Sequence, residues 1–277
     1  MLSGVLEYQF MRNAVAACFL ASIVCGLIGV IVVERKLIMM SGGIAHTAYG
    51  GVGLGYLCGF EPMIGAVLFS VGAAFGIGSI KRRGGANTDV IIALLWSTGM
   101  ALGTAFISFM DGYPPDMSSY LFGNILTVTK SDLIMMAVLT VVVCLTILIF
   151  FNDWKAFLFD DSFSSILGQK TVLLEYLLLV LVAMTVVVLI RVAGIILVIA
   201  LLTAPAATAS LLSDKFKTRM IIAIALGLFF CFAGLFISYS LGIASGATII
   251  VFSVVCYSAV YLIRSTADKR SLKTPVR

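Results

Sequence analysis

The stretch VLLEYLLLVLVAMTVVVLIRVAGIILVIALLTAPAATASLL, residues 172–212, holds only two charged side chains, Glu175 and Arg191. Arg191 divides it into Val172–Ile190 and Val192–Leu212. Each piece is about 20 residues, enough to cover ~30 Å of hydrocarbon at 1.5 Å per residue. Within lipid every backbone N–H and C=O must be bonded inside the structure, so only helices or a closed barrel can span it. Barrel strands alternate apolar and polar residues. This stretch does not, so it reads as two transmembrane helices with a one-residue joint.

Seven further stretches of the same kind lie on either side: Ala14–Val33, Ile44–Phe60, Met63–Ile80, Val90–Phe109, Leu133–Phe151, Met220–Leu241 and Ala247–Ile263. The expected fold class is therefore all-α, a polytopic transmembrane helical bundle of about nine spans, bounded by eight and ten. The 277 residues are 61% apolar and 11% charged, with a mean hydropathy of +1.16. A soluble domain carries about a quarter charged residues. A water-soluble globule, a disordered chain, a nucleic-acid-binding module and a secreted disulfide scaffold are all excluded by these figures. The reading is one domain over residues 1–277, with a bundle over 10–264 and a polar tail over 265–277. Residues up to Phe10 read as an interfacial lead-in, because they have neither a basic n-region nor a cleavage site of small residues.

Orientation follows from Lys and Arg, which gather on cytoplasmic loops. With nine spans and the N-terminus outside, 15 of the 18 cations fall on the inner side, and only Arg12, Lys130 and Arg191 fall outside. The expected location is the plasma or inner membrane, with a cytoplasmic C-terminus.

Catalytic constellations are missing from the sequence. The nearest approach to a phosphate-binding loop, Gly168-Gln169-Lys170-Thr171, has neither the spacing nor a preceding strand. Cysteines 18, 25, 58, 144, 231 and 256 lie in the spans without paired spacing and read as small hydrophobes rather than a disulfide set or metal cage. Glu175 reads as a carboxylate near a helix N-terminus, Arg191 as an interface anchor, and Glu61, Asp111 and Asp116 as solvated outer residues. The single histidine, His46, lies in SGGIAHTAYGGVGLGY, residues 41–56, among six glycines. An ionisable residue in a span usually faces a pathway or cavity, and neutral imidazole is a common metal ligand. The other open reading is an imidazole that only packs against a neighbouring helix. In FDDSFSSILG, residues 159–168, Phe159, Phe163, Ile166 and Leu167 fall at i, i+4, i+7 and i+8. Asp160 or Asp161 can cap the start and Gly168 the end, giving a short amphipathic helix. Such a helix lies on the lipid surface or docks on a soluble partner.

Five stretches, in order, resemble one family: FMRNAVAACFLASIVCGLIGVIVVERKL (10–37), SGGIAHTAYGGVGLGY (41–56), SYLFGNILTVTKSDL (119–133), FDDSFSSILGQ (159–169) and RVAGIILVIALLTAPAATASLL (191–212). The chain resembles the membrane permease subunits of the ATP-binding-cassette (ABC) importers for zinc, manganese and iron. That resemblance implies a homodimer, a pair of cytoplasmic ATPase subunits docked on Phe159–Gly168, and an extracytoplasmic solute-binding protein that delivers the ion. It implies no enzyme activity in this chain and no permanently bound cofactor, the metal being cargo. His46 would contact the ion in transit.

One departure stands out. The family pattern has an aspartate four residues before the histidine, on the same helical face, and this chain has Gly42. A divalent ion brought into low dielectric without a neutralising charge costs on the order of tens of kcal/mol, so it must remain hydrated or find another carboxylate. The missing oxygen donors point away from manganese and toward zinc. Two alternatives stand beside this reading. A larger cargo, such as a metal chelate or cobalamin-like cofactor, would suit the glycine-rich second span. An ATP-independent secondary carrier would need coupling carboxylates in the spans.

Overall fold

The computed structural model describes residues 8–83, 87–110, 117–159 and 170–271. Its helices are α1 (Gln9–Glu34), α2 (Ile38–Cys58), α3 (Pro62–Arg83), α4 (Thr88–Ser108), α5 (Ser118–Phe122), α6 (Lys130–Ile149), α7 (Phe151–Phe159), α8 (Thr171–Leu212), α9 (Phe216–Leu241) and α10 (Ser245–Ser271). A short 3-10 turn, Ile125–Thr127, joins α5 to α6. No strand occurs among the described residues.

Seven of these helices are long and apolar enough to cross a membrane, and one of the seven, α8, has 42 residues. Gly194, with φ 74° and ψ 160°, is the one non-helical residue inside α8. An L side chain rarely tolerates that φ. The two halves run in opposite senses across the bundle, as their partners show. Glu175 near the start of α8 meets Lys81 and Arg82 at the end of α3, while Arg191, just before the bend, meets Glu61 at the start of that helix. Just beyond the far end of α8, Arg219 pairs with Glu34 at the end of α1. The chain therefore turns back at Gly194. Counting α8 as two crossings and adding the glycine-rich α2, 21 residues long, gives nine crossings among the described residues, as expected from the sequence.

The core is built around α1 and α8. In its most apolar window α8 is 72% buried, whereas α4 is 17% buried. The bend of α8 is covered by α5: a Cβ on Gly123 would strike the backbone of Ala193 and Gly194, so both glycines are needed where the two chains cross. Helix α2 is pressed between α3 and α4. A Cβ on Gly51 or Gly65 would collide with the backbone of the other, and one on Gly53 would lie 2.6 Å from the Gly103 carbonyl oxygen. Without a hydrophobic drive between helices in lipid, such backbone approach is what makes dispersion contacts dense enough to hold them.

Charges are confined to the two ends. At one end Glu175, with its side chain 8% exposed, accepts from Lys81 Nζ at 2.8 Å and Arg82 Nη2 at 2.9 Å. Arg35 donates from Nη1 to the Phe157 carbonyl at 3.2 Å, its guanidinium 3.9 Å above the Phe157 ring. At the other end Arg191 Nε lies 3.1 Å from Asp132 Oδ1, and Nη1 lies 3.5 Å from Glu61 Oε1.

Several boundaries differ from the sequence reading. Span two starts at Ile38 rather than Ile44 and stops at Cys58, because Gly59 turns left-handed at φ 72°. Phe151–Phe159 forms α7, with Trp154 and Phe157 fully buried. Phe150, Trp154 and Phe157 recur at i, i+4 and i+7, a helical period visible in the sequence but masked there by Asn152, Asp153 and Lys155. Helix α10 continues to Ser271, so the tail begins as helix. The cysteines are uneven as core residues: Cys18, Cys25 and Cys231 are buried, whereas Cys58 is exposed.

Two outcomes follow. Gly51→Val should force α2 away from α3 and destabilise the protein by on the order of 1–3 kcal/mol, read as a lower melting temperature in detergent; an unchanged melt would contradict the backbone contact. Glu175→Gln should cost about 1–2 kcal/mol, tempered by the partial exposure of Lys81 and Arg82. Chemical unfolding of purified protein checks this, and equal stability of the two proteins would show that the ion pairs contribute nothing.

Candidate functional site

His46 lies well inside α2 and is 7% exposed. The α2–α4 seam places it there. At Gly99 of α4 a Cβ would lie 2.6 Å from the Thr47 Cα, so the two backbones cross at the residue after His46. Thr47 fastens the crossing, its hydroxyl donating to the Gly43 carbonyl at 2.7 Å within α2 and approaching the Leu95 carbonyl of α4 at 3.4 Å.

The crossing brings two side chains of α4 onto the imidazole. Trp96 stacks on it with ring centroids 3.9 Å apart and planes 14° from parallel. Met100, four residues on and therefore on the same helical face, places Sδ 3.4 Å from His46 Nδ1. The ring orientation is thus fixed from its face and from one nitrogen.

Gly42 shares the His46 face, four residues earlier. A Cβ there would lie 3.4 Å from Trp96 Cζ3 and 4.0 Å from Ile199 Cδ1. That is ordinary van der Waals contact, so the position admits a Cβ. Among the described residues no group of three or more His, Cys, Asp and Glu side chains could hold a metal ion. The charges nearest in function, Asp132, Glu61 and Arg191, sit at the end of the bundle instead. Asp132, 5% exposed at its side chain, also closes a capping box with Thr129 at the start of α6. Beside this cluster the Tyr56 and Tyr120 hydroxyls are 3.0 Å apart. Burial first, and then the bond to Tyr56, pushes the Tyr120 phenol above its ordinary range. Sequence reasoning treated Arg191 and Glu61 separately and did not single out Asp132; only the bend at Gly194 brings the three together.

Helix α4 shows a second property. Ser97, Ala101, Thr104 and Ser108 recur along one face, and all four are exposed. The three hydroxyls are satisfied within the helix, donating to Ala93, Met100 and Thr104 carbonyls at 3.0–3.1 Å. Leu94 continues this face by one turn, and Val90 and Leu102 are exposed as well, so the hydroxyls form a stripe within a mostly apolar surface of the helix whose Trp96 and Met100 touch His46. Of the expected docking segment, Phe159 is the last residue of α7. Asp160, Asp161, Phe163, Ile166, Leu167 and Gly168 lie outside the described residues, as do Asp111 and Asp116.

Comparison with known proteins fits this architecture. The family model described as ABC 3 transport family matches residues 7–264. The chain is 39% identical over 252 residues to an uncharacterized membrane protein of Synechocystis, covering 91% of this chain and 90% of that protein. It is 31% identical over 261 residues to the manganese transport system membrane protein MntC of Listeria monocytogenes, covering 94% and 93%. A solved structure, PsaBC from Streptococcus pneumoniae in complex with Fab, contains a chain that is 30% identical, with a TM-score of 0.85 and 94% of both chains covered. By family match, relatives and fold, the chain belongs to the ABC 3 transport family and is a multi-pass membrane permease of a metal ABC importer, with ATP hydrolysis carried by a separate subunit.

Proposed function

We propose that two copies of this chain form the pathway of an importer for a divalent transition-metal ion, zinc foremost. The observation that carries this reading is the position of His46, the one histidine of the chain, inside a span and next to the exposed hydroxylated face of α4. In a homodimer that packs through this face, two imidazoles approach a shared route and the hydroxyls line it rather than meeting lipid. Manganese is the ion in the names of the Listeria and Streptococcus gordonii relatives, and it is the alternative cargo. Zinc is preferred because the donors around His46 are imidazole nitrogen and thioether sulfur, with no hard oxygen ligand at Gly42. Neither donor is charged, so the ion would remain partly hydrated during passage. The larger-cargo reading is not favoured, since the named relatives are manganese systems.

In this proposal the N-terminus is outside and the C-terminus cytoplasmic. The end that holds Arg35, Lys81, Arg82, Lys215 and Arg219 then faces the cytoplasm, as the distribution of positive charge favours. Phe159, the first residue of the proposed docking segment, closes α7 at that same end. The segment's apolar positions Phe159, Phe163, Ile166 and Leu167 would dock in a groove on an ATPase subunit, with Asp160 and Asp161 at its start. An extracytoplasmic solute-binding protein would dock at the end that carries Glu61, Asp132 and Arg191.

With the ATPase partner present, zinc should stimulate ATP hydrolysis more than manganese, iron or cobalt, and His46→Ala should remove the stimulation while the complex still assembles. Unchanged zinc-stimulated hydrolysis in that variant would reduce His46 to a packing residue. Phe163→Asp or Gly168→Pro should release the ATPase from the membrane fraction and leave the permease melting temperature unchanged. Co-purification of the ATPase with both variants would rule out this segment as the docking element.

A further inference from the structure

We propose that Met100 is a second metal-contacting residue, and that His46 Nδ1 and Met100 Sδ form a nitrogen–sulfur clamp that favours zinc over manganese. The inference rests on the reading that His46 meets the ion. The two donor atoms are 3.4 Å apart. A tetrahedral ion held by imidazole nitrogen at about 2.0–2.1 Å and by a neutral thioether sulfur, slightly farther than the ~2.3 Å of a thiolate, spans an N···S edge of roughly 3.5–3.7 Å. In the ion-free protein the pair is closed by an N–H···S hydrogen bond with Nδ1–H donating, so the two donors stand side by side and an ion would take the place of that proton.

Each part of its construction is visible. Met100 follows Gly99, the residue whose lack of a side chain lets α4 cross α2. Trp96, one turn earlier, holds the imidazole plane by stacking at 3.9 Å. The same indole borders Gly42, where α2 offers no side-chain donor. The donor that α2 lacks is replaced by one from α4. A thioether is a soft ligand that binds zinc and softer ions and gives little to manganese, whose preferred partners are carboxylate, carbonyl and water oxygens. Coordination through Nδ1 requires a neutral ring with its proton on Nε2. Two clamps brought together in a dimer would supply two nitrogens and two sulfurs.

The test uses the permease assembled with its ATPase partner in lipid nanodiscs, with zinc as the probe. X-ray absorption at the zinc edge should show a sulfur scatterer in the native protein, slightly beyond the ~2.3 Å of a thiolate, and this scatterer should vanish in Met100→Leu, a change of similar volume. In vesicles the same variant should lower the zinc-to-manganese ratio of initial uptake roughly tenfold while the melting temperature is retained. A first shell of nitrogen and oxygen alone in the native protein would overturn the clamp, and so would an unchanged uptake ratio in Met100→Leu. If His46→Ala loses uptake and Met100→Leu does not alter the ratio, only the clamp fails. If His46→Ala transports normally, the pathway reading fails with it.

Discussion

The contact on which the rest depends is backbone against backbone, where α2 runs between α3 and α4. Lipid offers no hydrophobic reward for bringing two apolar helices together. The gain comes from close packing, and it is available only where side chains do not hold the helices apart. Gly51 with Gly65 on one side, and Gly53 with Gly103 on the other, permit that approach. Everything distinctive about His46 follows from it: the crossing at Gly99, the stacked indole of Trp96 and the sulfur of Met100 in reach of Nδ1. A wider seam would leave an unconstrained histidine in a span.

Charge is managed by exclusion from the middle and pairing at the ends. Glu175 has a double cationic partner, and Asp132 combines a helix cap with an ion pair to Arg191. Each pair links elements distant in sequence across one end of the bundle, so the ends are tied while, among the described residues, the interior between them carries no charged side chain. Arg191 occupies a special place, three residues before the reversal at Gly194. Its pairs join the bend of α8 to the start of α6 and to the joint between α2 and α3. For a protein that must alternate access between two sides, ties of this sort define which elements move together.

Much of this was legible in the sequence, because hydrocarbon thickness and backbone satisfaction leave few choices. The number of crossings and the concentration of cations at one end follow from lengths and charges alone, whereas the joint expected at Arg191 falls three residues later, at Gly194, with Arg191 still helical. The site was legible only in part. His46 is conspicuous as an ionisable residue in a span, but nothing local to it announces Trp96 and Met100, which reach it through a crossing 50 residues further along the chain. The cluster of Glu61, Asp132 and Arg191 has the same character, being assembled by the bend at a glycine that resembles any other in the sequence. Helix α7 was hidden for a different reason: its buried Trp154 and Phe157 alternate with polar residues that suggest a loop, and their burial depends on the end of α1, where Arg35 lies over Phe157.

The central claim is that this chain is a gate without an engine, opened by nucleotide chemistry in another subunit. The most direct measurement is uptake of radioactive zinc into vesicles holding the purified permease, alone and then with the ATPase subunit and ATP. The account expects no uptake above empty vesicles from the permease alone, and uptake that appears only when ATPase and ATP are both present. Zinc accumulation by the permease by itself would contradict it.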